Sequence, residues 1–249
     1  MANRRSLEIA AGVRRLSGGI CNFYLVERGG RITLVDAGAA ADWKLLLTEL
    51  AALGRKPDDI EAVLLTHAHA DHTGFAERSR NEAGAAVWIH GADADVARGG
   101  KQPPHAGGFA RYLLHWEAYR TLISLSRRGG SRIVPIAEVS SFADGETVDV
   151  PGRPRAVHVP GHTAGSAAIL LEDAGMLFTG DALVTRNVLT GRTGPQLMPR
   201  PLNQDLERAH ESLTAMEIAS VTTVLPGHGE PWHDGAVAAV AGARRAGFS

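Results

Sequence analysis

Apolar and polar residues change over along this chain in short segments. Leu7 to Leu16, Cys21 to Glu27 and Arg31 to Asp36 are apolar, β-branched-rich runs, separated by Ser17-Gly18-Gly19 and Arg28-Gly29-Gly30. Runs of this length between glycine turns predict three strands in a meander of hairpins. Ala40 to Leu53 instead spaces its apolar residues with helical period and stops at Gly54, so a helix is expected there. A strand over Ala62 to Leu65, a helix over Asp71 to Gly84, a strand over Ala86 to Ile89 and a short helix over Gly91 to Arg98 follow. The order β, β, β, α, β, α, β, α predicts layered α and β elements.

Lys101 to Arg128 breaks that rhythm. Pro103-Pro104 and Gly107-Gly108 open it, and Phe109, Tyr112, Trp116 and Tyr119 then fall on one side of an expected helix, near Leu113, Leu122 and Ile123. Such a helix either packs on the domain or on a partner subunit, as in a homodimer, or lies over a site as a lid. The second half returns to strands, over Arg132 to Val134, Thr147 to Val150, Ala156 to Val159, Ser166 to Leu171 and Met176 to Phe178. Asp144-Gly145-Glu146, Pro151-Gly152, Pro160-Gly161 and Asp173-Ala174-Gly175 supply the turns between them. Gly191 to Pro201 reads as an irregular loop, Leu202 to Ala219 as a helix, Val221 to Leu225 as a strand and Gly235 to Ala246 as a closing helix. Two halves of like content suggest two sheets face to face with helices outside. The expectation is one domain over residues 1–249, with 101–130 as a helical insertion.

Composition narrows the partners. The 249 residues carry 26 basic against 27 acidic side chains, so nothing recommends a nucleic-acid partner. The one cysteine, Cys21, rules out a disulfide framework within the chain and leaves nitrogen and oxygen as the metal donors. No apolar run approaches the roughly 18 residues of a membrane span. Met1 to Ser6 is basic, but Glu8, Arg14 and Arg15 break the following stretch, so no signal peptide is read. A cytoplasmic protein with a small-molecule substrate and no membrane partner is the expectation.

The chemistry concentrates in Leu64-Leu65-Thr66-His67-Ala68-His69-Ala70-Asp71-His72-Thr73-Gly74. If the chain stays extended through His67 and His69, a period of two sends both imidazoles to one side. Asp71 and His72, where the loop turns into a helix, can reach back to the same point. Imidazole and carboxylate together suit zinc, iron or manganese. Three later strand-end loops carry a metal-type residue beside glycine: Val159-Pro160-Gly161-His162-Thr163, Phe178-Thr179-Gly180-Asp181 and Leu225-Pro226-Gly227-His228-Gly229-Glu230. His90 and His158, in strands, are read as structural, and His105, His115, His210 and His233 as surface or lid residues.

The His-x-His-x-Asp-His run, the Pro-Gly-His-Thr and Thr-Gly-Asp turns and the final Pro-Gly-His-Gly together resemble the metallo-β-lactamase-fold hydrolase superfamily, over the chain from about Leu7 to its last helix. The resemblance implies an α+β fold, an αββα sandwich of two facing mixed sheets with helices outside, and a two-metal site at one edge of the sheets. It implies that His67, His69 and His162 hold one divalent metal and Asp71, His72 and His228 the other, zinc above iron or manganese. Asp181 would bridge them, Asp36 would orient ligands from behind, and Asp71 could also move a proton. A hydroxide shared by the two metals would then attack an ester, lactone or thioester of a small molecule.

Departures from the family narrow this further. Asp181 stands where β-lactam-hydrolysing members usually carry cysteine or serine. The helical glutathione-binding domain of glyoxalase II members is not found in the 21 residues after His228. Val184 replaces the tyrosine of acyl-homoserine lactonases, and His69 the glutamate of flavodiiron proteins. Phe109, Tyr112, Trp116 and Val184 are the residues expected to line the substrate pocket. A mononuclear iron persulfide dioxygenase of the same fold and a non-catalytic binding protein on the same scaffold are the alternative readings.

Overall fold

The computed structural model describes residues 6–247. All but Ser6 of the basic N-terminal run lies outside them. The first apolar run is two strands, β1 (Ser6–Ala10) and β2 (Val13–Ser17), because Gly12 takes a φ of 69° and folds Leu7 to Leu16 into a hairpin. β3 (Asn22–Arg28) and β4 (Arg31–Val35) continue the antiparallel meander as expected. Helix α1 (Trp43–Ala52) carries the chain over to β5 (Ile60–Leu64), parallel to β4.

The single helix expected over Asp71 to Gly84 is broken into α2 (Ala70–Thr73) and α3 (Ala76–Ala83). The break falls where Gly74 donates its N–H to Gly38 O at 2.8 Å and comes so near Ala40 N that a Cβ could not fit. β6 (Ala86–His90) and the short α4 (Ala94–Ala97) match expectation. Only one stretch of the next segment is α-helical: α5 (Trp116–Arg128). The sheet ends on β7 (Ser140–Phe142), unforeseen in the sequence, whereas the strand expected over Arg132 to Val134 does not form. The resulting order is β1-β2-β3-β4-β5-β6-β7.

The second sheet, ordered β13-β10-β9-β8, uses β8 (Arg155–His158), β9 (Ala167–Leu171), β10 (Met176–Gly180) and, after the intervening elements, β13 (Thr223–Pro226). The expected strand Thr147 to Val150 is reduced to one bridge, Thr147 to Arg155, since Val150 turns back onto Val148 O. The loop expected over Gly191 to Pro201 contains β12 (Thr193–Gln196), paired with β11 (Val184–Arg186). The long expected helix at Leu202 is cut to α6 (Leu206–Ser212), started by Asp205, whose carboxylate accepts from Arg208 N at 2.9 Å. α7 (Ala236–Ala246) closes the fold.

Alternation along the strands makes four layers. Phe23, Leu25, Ile32 and Leu34 face α1 and α3, packing with Trp43, Leu46 and Phe75. Their neighbours Tyr24, Val26 and Val35 face the other sheet, against Ile169, Leu171 and Phe178. The Tyr24 and Phe178 rings meet edge-to-face at 5.1 Å across that interface. On the far side of the second sheet, Ala168, Leu170 and Leu177 pack on Ala209, Ala239 and Val240 of α6 and α7. Period-two strands buried on both faces thus give the expected helix, sheet, sheet, helix sandwich. No helix among the described residues is long and apolar enough to cross a membrane.

Candidate metal centre

Seven side chains from four strand-end loops converge at one edge of the facing sheets. After β5 the chain bends at Thr66 and His67 and is extended again at His69, the residue before α2, with the His67 and His69 rings 4.7 Å apart. One turn of helix then folds His72 back until its ring centre lies 4.2 Å from that of His67. His162, from the turn after β8, reaches within 2.8 Å of His69 Nδ1 through its Nε2. Asp181 leaves the end of β10 and His228 the end of β13. Among the described residues three donor sets, each with ligand atoms within 4.8 Å of one another, could hold a cation: His67, His69 and His162; Asp71, His72 and His228; and His67, His72 and Asp181. The third set mixes the first two through Asp181. Its Oδ1 lies 3.4 Å from His72 Nε2, and its Oδ2 lies 3.5 Å from His162 Nε2 and 3.2 Å from His228 Nε2.

Three of the imidazoles, those of His67, His72 and His228, are aimed by a partner behind them. Asp36 sits at the end of β4 with a φ of 63°, a strained conformation for a residue with a Cβ. Its carboxylate accepts from His72 Nδ1 at 2.8 Å, from Thr66 N at 2.8 Å and from the Thr66 hydroxyl at 3.0 Å. The same hydroxyl lies 3.0 Å from His67 Nδ1. One carboxylate therefore orients a histidine of each triad, turning both Nε2 atoms to the site. His228 Nδ1 donates to Ile20 O at 2.8 Å, which frees its Nε2 likewise. The backbone must come close here: a Cβ on Gly227 would collide with Asp181 Oδ1 and sit 2.7 Å from His72 Cε1.

Three further residues complete the support, and the sequence reading did not find two of them. Asp93 is buried and accepts from Ala68 N at 2.9 Å, from the Thr163 hydroxyl at 2.8 Å and from Gly165 N at 2.7 Å. It ties the His67–His69 loop to the His162 loop across the two sheets. Asn203, held through Nδ2 to Met198 O and Pro199 O, lies beside His162. His105, read only as a surface or lid residue, stands 3.4 Å from His69 Nε2. No local pattern marks Asp93 or Asn203, since both act at long range.

The two triads differ electrically. Burial, with smaller contributions from neighbouring imidazoles, holds His67 and His162 well below the usual histidine range, and burial lowers His69 to about 4. These three are neutral donors at pH 7. Burial also opposes charge on His72 and His228, but the carboxylates of Asp181 and Asp71, and of Asp36 for His72, outweigh it and raise both. Asp181 is itself held well below the carboxylate range, since His228 and His72 overcome its burial.

Buried His67 Nε2, His72 Nε2 and Asp181 Oδ1 have no hydrogen-bond partner. Polar atoms buried in this way need one. All three point between the triads, where a cation would satisfy them, and the nitrogen and oxygen set fits zinc, iron or manganese.

Above the ligands opens a cavity of about 480 Å³. Leu122 and Leu125 of α5, with Phe109, Val188, Leu189 and Met198, form its apolar wall. Of the four residues expected to line the pocket, Phe109 does. Tyr112 does not, because it is buried beneath the wall with Ala118, Val188 and Met198. Trp116 is 70% exposed and borders a neighbouring groove, since the chain breaks at His115 and the four aromatics do not share one helix face. Val184 lies in the same buried cluster as Tyr112, behind Val188 and Leu189, and does not reach the cavity.

Comparison with known proteins agrees with this geometry. The chain is similar to a probable metallo-hydrolase, YflN, of Bacillus subtilis (23% identical, covering 90% of this chain and 86% of that one). It is also similar to an atrochrysone carboxyl ACP thioesterase of Aspergillus fumigatus (28% identical, covering 84% of this chain but 50% of that protein). Among solved structures it matches the metallo-beta-lactamase family protein TTHA1429 of Thermus thermophilus with a TM-score of 0.68 at 26% identity, covering 94% of this chain and 78% of that one. The family description "Metallo-beta-lactamase superfamily" matches residues 16–228, from β2 to the last of the seven converging side chains, and the chain belongs to that superfamily.

Proposed function

We propose that this chain is a dinuclear metal hydrolase acting on an ester, thioester or lactone of a small molecule. The observation that carries the reading is the pair of triads with unsatisfied buried donors aimed between them. His67, His69 and His162 would hold one divalent cation, Asp71, His72 and His228 the other, with Asp181 shared. Bound there, two such cations supply Lewis acidity and a water acidic enough to act as a nucleophile at neutral pH.

The chain's own residues do the rest. Asp36 and Thr66 keep His67 and His72 in the tautomer that presents Nε2, so both donors are preorganised. Asp71 Oδ2 lies 3.6 Å from His228 Nε2 on the cavity side, where it can hold a proton on its way to a leaving group. The apolar wall from α5 excludes water from the acyl part of a substrate and places its carbonyl over the triads. A similar protein named as a thioesterase supports the acyl class. We read residues 101–130 as the wall, and lid, of this cavity, in a protein of the cytoplasm.

Elemental analysis with a substrate panel tests the reading. Two divalent metals per chain are expected, with turnover of aryl esters, thioesters or γ-lactones that chelation abolishes and metal restores. One iron per chain with oxygen uptake on persulfide, or full metal with no turnover across the panel, would overturn it.

A further inference from the structure

The wall of the cavity ends in a feature that the hydrolytic reading leaves unused. Helix α5 terminates at Gly129, in the left-handed region, and Gly130 donates its N–H back to Leu125 O at 2.8 Å. The backbone then passes directly over the ligand cluster: a Cβ on Gly130 would lie 3.4 Å from the Cβ of Asp71 and 3.0 Å from Leu125 Cδ2. Ser131, Arg132 and Ile133 follow as the rim, in irregular conformation, where the sequence predicted a strand.

Arg132 is the one lysine or arginine among the described residues lining this cavity. It is exposed and makes no ion pair among the described residues. Of the arginines around α5, Arg127 is likewise exposed but lines the neighbouring groove, and three others are paired. Arg120 and Arg186 pair with Glu117 at 2.8 and 3.0 Å, and Arg128 pairs with Asp42. A free guanidinium beside an apolar wall offers two parallel donors suited to a carboxylate or phosphate. The same space is lined by apolar Leu122, Val188 and Met198.

We infer that Arg132 is a specificity-determining residue, and that the substrate is an amphiphile: an acyl ester or thioester whose apolar part lies on the α5 wall and whose carboxylate or phosphate is held at the rim by Arg132. This rests on the hydrolase reading and narrows its substrate class. The anion can belong to the acyl part or to the leaving group, and probes of each kind separate the two.

The experiment uses the metal-loaded full chain, as wild type, Arg132→Gln and Arg132→Lys. Three probes are compared: 4-nitrophenyl butyrate, neutral; 4-nitrophenyl hemiglutarate, with a carboxylate on the acyl side; and butyryl-coenzyme A, with phosphates on the leaving group. Arg132→Gln is expected to raise KM about tenfold for at least one anionic probe, with kcat within twofold and the neutral ester unaffected. Arg132→Lys should recover part of the loss, and thermal unfolding should be unchanged. Whichever anionic probe responds locates the anion. Unchanged KM for both anionic probes, or an equal rise for the neutral one, overturns the inference. If wild type turns over none of the three but does turn over a γ-lactone, the hydrolase reading stands, and if it turns over none of these it fails instead. Calorimetric titration with uncleaved butyryl-coenzyme A then decides, and equal affinity of wild type and Arg132→Gln overturns the role of Arg132.

Discussion

The floor and the wall of the cavity are built in opposite ways. On the floor, five of the seven converging side chains are fully buried; three of the strand-end loops are tied by Asp36, Thr66, Asp93 and the Ile20 carbonyl, and the Asp181 loop is tied by Gly227 N to Gly180 O at 2.7 Å. The wall hangs on one small apolar cluster around Tyr112 and on a few polar ties. These are the Thr121 hydroxyl to Val188 O at 2.6 Å and the pairs Arg186–Glu117 and Arg128–Asp42. Leu122, which faces the cavity, is 58% exposed. An over-determined floor holds donors where cations need them, while a lightly held wall can change its side chains without disturbing the chemistry.

The largest effect should come from the floor. Asp181→Ala removes the one carboxylate facing both triads, and two cations at the roughly 3.5–4 Å of such sites repel strongly without it. Loss of the second metal and a fall in turnover of roughly 10³-fold or more are expected, with circular dichroism unchanged because the apolar layers do not depend on metal. Metal stoichiometry and turnover on one purified sample check this; two metals with full turnover would show that another group bridges.

Asp93→Ala should act on folding as well as on the site. It leaves Ala68 N and Gly165 N unpaired in the interior and the Thr163 hydroxyl with Ser166 Oγ alone, at a cost of about 2–4 kcal/mol in urea unfolding. Turnover should fall with it, since the His67–His69 and His162 loops lose their tie. A variant as stable and as active as wild type would mean that the loops hold their places unaided.

Wall substitutions should separate from both. Leu122→Ala and Leu125→Ala are expected to raise KM for acyl substrates several-fold with little change in kcat, and Leu122→Ala should move stability by no more than about 0.5 kcal/mol. A fall in kcat at constant KM would instead place the wall in the chemistry.

The smallest effect concerns the far end of the rim. Glu77 of α3 accepts from Ala137 N at 3.1 Å and pairs with Arg80, and the Arg80 hydrogen bonds lower its carboxyl from about 4.5 to about 2. A depressed carboxyl stabilises the fold fully above its unfolded pKa, and that contribution fades as pH falls from about 4.5 through about 2. Solvent around the pair limits it to about 1 kcal/mol, so Glu77→Gln should lose that much near pH 7 and nothing near pH 2. A loss that does not depend on pH would show that the amide keeps what the carboxylate does.

What the sequence determined by itself was local or periodic. Short apolar runs bounded by turns marked β3, β4, β5, β9 and β10, and the spacing of His67, His69, Asp71 and His72 placed four donors together because a strand end and one helical turn carry them there. His162, Asp181 and His228 were legible because glycine turns after strands repeat a local signature. The tertiary structure decided what depends on distant partners. Arg132 to Val134 has strand-forming residues but no neighbouring strand to pair with, so it became a rim. Tyr112 and Val184 went under the wall, where a cluster waited to cover them, and Trp116 turned outward once the chain broke at His115. Asp93 gained its role only when two sheets met, since its three donors lie 25, 70 and 72 residues away along the chain. Short-range geometry is written in residue spacing; a hydrogen bond across two sheets exists only after both have formed.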